Sequence, residues 1–179
     1  PNQGDALFDA LMEAGKDCNV APGAVNQVRR IESGILSWGV DMGFDENPYQ
    51  IGMGRLVELD DTPDFVGRAA LERLKDQPID KTQVGLIVEG EVLAGNETAW
   101  PLMNGEEVVG KLTSLGYSPR LEQNVAIGLV APEHAPLGTP LTVITWDGLR
   151  TARVAKMPFL PKRQAGSARE LFANTAAEH

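Results

Sequence analysis

The chain has 179 residues, 42% hydrophobic and 23% charged, with a net charge of −9. That length suits one ordinary domain or two small ones with a real core, and the acidic balance repels phosphate backbones, which argues against a nucleic acid partner. No apolar run nears the ~18 residues of a membrane span, the single Cys18 excludes an internal disulfide, and His134 and His179 give no metal-ligand cluster. At its start, PNQGDALFDAL lacks a basic, apolar, small-residue signal, so a cytoplasmic address is the expectation.

Residues 5–14, DALFDALMEA, predict an amphipathic helix: Asp5 caps its first amides, Leu7, Phe8, Leu11 and Met12 share a face, and Gly15 takes the left-handed end position. APGAVNQVRRIESG predicts a second helix with Pro22 near its first turn, apolar Val25, Val28 and Ile31, and Gly34 as its stop. YQIGMGRLVELDD alternates enough to read as a strand, and DFVGRAALERLKD as a third helix with Asp64 as N-cap.

From about residue 82 the period changes to two. TQVGLIVEGE, EVVGKLTSLGYSP, NVAIGLVAPE, TPLTVITWDG and RTARVAKMPF follow, separated by turns such as MNGEE and APLGTP. Short strands at such intervals predict a small antiparallel sandwich or barrel, with a boundary near KDQPIDK. ARELFANTA in the tail has the composition of one helical turn.

No nucleophile elbow, P-loop or dinucleotide fingerprint occurs, and GMGRL lacks the spacing of a phosphate-binding glycine loop. The stretch RRIESGILSWGVDM is the most unusual: two arginines and a glutamate on a helix that ends in an aromatic, glycine-rich turn. Two readings stand. Arg29 and Glu32, three apart, form a solvated surface pair, or one arginine aims its planar fork into a cleft to hold a carboxylate.

LFDALMEAG, RRIESGILSWGVDM, DENPYQIGMGRLVEL, DFVGRAAL, GKLTSLGYSPRLEQNVAIGLV and KMPF occur in the order found in the C-terminal half of the glycine cleavage T-protein (aminomethyltransferase) family. The wording of residues 22–42 is most similar to the branch containing dimethylsulfoniopropionate demethylase. The resemblance implies an α+β fold: residues 1–78 as the end of a folate-binding α+β domain, 79–162 as an antiparallel β-barrel, and 163–179 as a tail. It implies tetrahydrofolate as cofactor, a small-molecule methyl donor, and transfer of a one-carbon unit to or from folate N5.

By the same resemblance Arg30 holds a carboxylate of the folate tail, Glu32 orients it, and Gly34 and Gly39 turn the backbone beside the cofactor. Trp38 occupies the aromatic position of the family turn, where core packing or stacking would each suit it. Arg55 stands where many T-proteins carry tryptophan, which alters shape and charge near the substrate end. Leu115 replaces a usual glycine, and Arg120 follows the Ser118-Pro119 turn as a second contact to the tail. Residues 1–78 carry 14 acids against 7 bases, a balance that suits a sulfonium or quaternary ammonium donor.

The family chain is roughly twice this length. The resemblance therefore places the pterin pocket and the catalytic aspartate in an N-terminal half not present here, and assigns no catalytic residue to these 179. The expected activity is methyl transfer from a sulfonium or ammonium donor by a longer protein. Two alternatives are aminomethyl transfer with a lipoyl carrier and a non-catalytic folate-binding or docking module. The cysteine-containing signature of the iron–sulfur assembly relatives does not occur.

Overall fold

The computed structural model describes residues 3–22, 26–60 and 63–160. Three short helices, α1 (Gly4–Ala14), α2 (Gln27–Glu32) and α3 (Arg68–Lys75), precede six strands. These are β1 (Thr82–Val88), β2 (Trp100–Asn104), β3 (Glu107–Ser118), β4 (Gln123–Val130), β5 (Pro140–Thr145) and β6 (Gly148–Ala155). They close into an antiparallel barrel in the order β1-β4-β3-β2-β5-β6, in which Gly85 pairs with both Ile127 of β4 and Ala155 of β6. The α+β class and the barrel agree with the sequence expectation.

Alternation builds the barrel interior. Val84, Leu86 and Val88 of β1 point inward with Leu102, Leu112, Ala126, Val143 and Val154. At Gly128 a Cβ would come within 2.9 Å of Lys111 O and 3.0 Å of the Leu86 side chain, so only glycine lets the strands pack there. The outward residues of β4, Val125 and Ile127, are covered by Ile31 of α2. The helix can approach because a Cβ at Gly116 of β3 would lie 2.9 Å from Val28 Cγ2.

Several local expectations change. β2 is a strand the turn-rich sequence around it conceals; it pairs with β3 across Gly105, whose φ of +63° makes the tight turn. The strand expected over YQIGMGRLVELDD is, at residues 49–60, a run of turns with a 3-10 segment at Gly54–Leu56, because Gly52 at φ +70° interrupts extended backbone; Asp61 lies outside the described residues. Helix α1 starts at Gly4 with Gln3 as N-cap and no side-chain cap, so Asp5 lies inside the first turn, and Gly15 ends it in right-handed rather than left-handed geometry.

Helix α2 is shorter than its pattern. Asn26 caps it by accepting from Arg29 N, Pro22 lies outside it, and Gly34 at φ +66° follows its end. Val25 is outside the described residues. Helix α3 begins after Gly67 without a side-chain cap, and Asp64 accepts from the adjacent Phe65 N. The tail with ARELFANTA lies outside the described residues. Among those that are described, no helix is long and apolar enough to cross a membrane.

Candidate functional site

The site is built where α2 and the turn after it meet the outer face of β3. Helix α2 points Arg30 toward residues 35–42 and the barrel. Its Nη1 lies 2.6 Å from Asp41 Oδ2 and 3.3 Å from Ile35 O; Nη2 donates to Ser114 Oγ at 2.7 Å, and Nε to Gln27 Oε1. The Arg30 side chain is 17% exposed.

Asp41 is the centre of this arrangement. Its carboxylate is 1% exposed and takes four donors: Arg30, the Ser37 amide at 2.9 Å, and the Thr113 and Ser114 hydroxyls at 2.6 Å each. Adjacent residues of a strand normally point to opposite faces. Here the register of β3 against β4 shifts between Leu112 and Ser114, and this bulge turns both hydroxyls to the same carboxylate. A buried charge with a cation and hydrogen bonds on both oxygens is a satisfied one.

Glu32 takes a different partner from the one expected. Ser118 Oγ donates to its Oε1 at 2.6 Å and Arg120 Nη1 lies 3.9 Å from its Oε2, so the residue that orients Arg30 is Asp41, not Glu32. Nor does Glu32 pair with Arg29 among the described residues. The Glu32 carbonyl accepts from Phe159 N at 2.9 Å, so the closing KMPF segment is tied to the end of α2. A groove of about 240 Å³ opens beside it, lined by Val28, Arg29, Glu32, Tyr117 and Arg120 among others. Arg120 is 57% exposed at its mouth.

The other two candidates stand apart from Arg30, with no hydrogen bond or ion pair joining them to it among the described residues. Trp38 is 58% exposed, so it is not a core residue; its ring meets Phe44 edge-on at 5.0 Å. Arg55 is exposed on the 3-10 turn. Asp41 lies in RRIESGILSWGVDM and Thr113 and Ser114 in GKLTSLGYSPRLEQNVAIGLV, motifs whose resemblance gives these three residues no role. The one sequence signal for Asp41 is an acid between Val40 and Met42, just past a glycine turn that a buried charge would close.

A second polar junction joins the turns at 43–53 to the barrel. Glu46 accepts from Lys81 Nζ at 2.9 Å and from Gly43 N at 2.8 Å, with Lys111 Nζ at 3.9 Å. The Lys81 hydrogen bond, foremost, holds the Glu46 carboxyl below its ordinary range against the opposing effect of burial. Among the described residues no group of His, Cys, Asp and Glu is placed to hold a metal ion.

Two family models match the chain: the GCVT N-terminal domain over residues 1–61 and the glycine cleavage T-protein C-terminal barrel domain over 81–160. The chain belongs to the glycine cleavage T-protein family. It is 39% identical over 152 residues to the dimethylsulfoniopropionate demethylase DmdA of Ruegeria pomeroyi, covering 84% of this chain and 41% of that protein. It is 36% identical over 158 residues to an aminomethyltransferase of a Synechococcus strain, covering 87% of this chain and 42% of the other.

The crystal structure of the glycine cleavage system aminomethyltransferase T from Bartonella henselae superposes with a TM-score of 0.73 at 23% identity, over 89% of this chain and 44% of that one. The likeness supports the T-protein fold. This T-protein chain thus spans about two fifths of the length of the relatives it matches.

Proposed function

We propose that this chain is the C-terminal part of a tetrahydrofolate-dependent methyltransferase whose donor is a sulfonium or ammonium compound of the dimethylsulfoniopropionate type. The reading is supported foremost by the 39% identity to a dimethylsulfoniopropionate demethylase. Aminomethyl transfer is the second reading, favoured by the 36% identity to an aminomethyltransferase.

The donor set fits an anionic folate tail. Arg30 is rigidly held yet partly exposed, and Arg120, more than half exposed beside the neighbouring groove, is held among the described residues only by a long 3.9 Å contact to Glu32. Tetrahydrofolate, when bound, supplies N5 as the one-carbon acceptor. The residues of this chain orient it: Arg30 anchors a tail carboxylate through its planar fork, and Arg120 takes the more exposed end of the tail. Fixing the tail fixes the reach of the pterin, and orientation of two reactants is the main contribution a protein makes to such a transfer.

The exposed apolar surface supports a further half of the protein as partner. Leu7, Phe8 and Leu11 of α1 have no core to enter, since α1 buries none of its residues, and Phe44 is 96% exposed. Taken alone, the 179 residues are therefore a docking module, and activity belongs to the longer protein.

The experiment is product analysis of the full-length protein with tetrahydrofolate and dimethylsulfoniopropionate. Methyltetrahydrofolate is the expected product. Methylenetetrahydrofolate from an aminomethyl-lipoyl carrier, without methyl product from any onium donor, overturns this reading for the second one. In the same protein, Arg30→Ala weakens folate binding by about 2 to 4 kcal/mol. Arg30→Lys, which keeps a charge beside Asp41 but loses the fork, weakens it less. Unchanged affinity in both returns Arg30 to a purely structural ion pair.

A further inference from the structure

The Arg30 guanidinium can bind along two edges, one between Nη1 and Nη2 and one between Nε and Nη2. The first edge is taken from inside the protein. Nη1 meets Asp41 Oδ2 at 2.6 Å, Nη2 meets Ser114 Oγ at 2.7 Å, and Ser114 Oγ is in turn 2.6 Å from Asp41 Oδ1. Because Ser114 is bonded to Asp41, the Nη2 hydrogen it accepts is the one on the Asp41 side. The remaining Nη1 hydrogen goes to Ile35 O at 3.3 Å.

The second edge is different in kind. There Nε donates to Gln27 Oε1, and the neighbouring Nη2 hydrogen has no acceptor among the described residues. Gln27 is exposed at the first position of α2, and it offers one neutral oxygen where a carboxylate offers two charged ones. Displacing Asp41 would leave a carboxylate that is 1% exposed without its cation. Displacing Gln27 returns an exposed amide to water.

We propose that a ligand carboxylate binds Arg30 along the Nε and Nη2 edge by displacing Gln27, while Asp41 and Ser114 stay in place as positioning residues. Gln27 is then the residue that sets how tightly the tail is held. The inference rests on the reading that Arg30 takes the folate tail, and it adds which edge is used, which residue leaves and which residues do not.

Gln27→Glu tests it, because a resident carboxylate would compete for the same edge. An acid at the first position of a helix is favourable to that helix, so the fold survives, and an unchanged melting temperature checks this. The probes are tetrahydrofolate and tetrahydropteroate, which lacks the glutamate, each titrated against the full-length protein. Gln27→Glu weakens tetrahydrofolate binding about tenfold or more. Gln27→Ala, which removes the competing amide, tightens that binding, and weaker binding overturns the displacement. Neither variant alters tetrahydropteroate binding.

Full tetrahydrofolate affinity in Gln27→Glu overturns the edge assignment if Arg30→Lys still weakens binding. Equal weakening of both probes by Gln27→Glu overturns it too, since the effect would then be structural. If Arg30→Ala and Arg30→Lys are both without effect, the tail reading falls instead, and the two failures are distinguishable.

Discussion

The barrel and the segment before it are stabilised by different forces. Between residues 84 and 154, fourteen buried hydrophobic residues form one interior, enclosed by a ring of strands without a free edge. Among the described residues of the first 78, only Ile31, Ile51 and Leu59 are buried hydrophobics, while large apolar side chains such as Leu7, Phe8, Leu11, Ile35, Trp38 and Phe44 face solvent. Beside the apolar seat of Ile31 on Val125 and Ile127, what ties this segment to the barrel is polar: Arg30 and Asp41 on Thr113 and Ser114, Glu32 on Ser118, Gln50 on Asp80, Glu46 on Lys81. The barrel encloses its own core, and the first segment is a surface fastened to it at a few points.

The largest effect that separates them is a cavity. Leu102→Ala, at a side chain 0% exposed in the barrel interior, lowers stability by about 2 to 5 kcal/mol in urea denaturation. The same truncation at Leu7 or Leu11, in a helix that buries nothing, changes the stability of this chain by less than about 0.5 kcal/mol. In the longer protein the α1 variants become costly if that face is covered. A large loss from Leu11→Ala in this chain alone would mean that α1 already has a core.

Asp41→Ala follows in size. It removes the acceptor of four donors and leaves the Arg30 charge in a partly buried place, at a cost of about 2 to 3 kcal/mol. The loss is confined to the first segment: amide hydrogen exchange accelerates over residues 26–42 while the barrel strands keep their protection. Equal acceleration across the barrel would contradict the division.

How far the sequence discloses this depends on which force is at work. The barrel is legible because alternation in β5 and β6 records which face is buried, while β4 and the middle of β3 read as apolar runs because both of their faces are covered. β2 is hidden by Pro101 and by a bulge between Leu102 and Met103 that breaks its period. The resemblance carried by RRIESGILSWGVDM points to Arg30 and to Glu32 as its orienting partner, while the anchor of Arg30 is Asp41, eleven residues on and around two glycine turns. Thr113 and Ser114 were unreadable as a pair, since strand periodicity sends neighbours to opposite faces and only the bulge reunites them. A chain that writes its core in periodic residues writes its site in exceptions to the period.

The smallest predicted effect sharpens the comparison through pH. Glu46 joins the turns at 43–53 to Lys81 and Lys111, and the Lys81 hydrogen bond lowers its carboxyl below the ordinary 4.5. A carboxyl lowered on folding stabilises the folded state fully above its unfolded value, and that contribution is lost as pH falls through the lowered folded value. Wild type therefore exceeds Glu46→Gln in stability near neutral pH, by less than about 1 kcal/mol because the lysines are partly exposed. The gap closes as pH drops below about 4.5, and thermal midpoints at pH 7 and at pH 3 measure it. Since the junction fastens the first segment to the barrel, acid should loosen residues 43–53 before any barrel strand. A gap that widens in acid would reverse the sign and remove Glu46 from the set of fastenings.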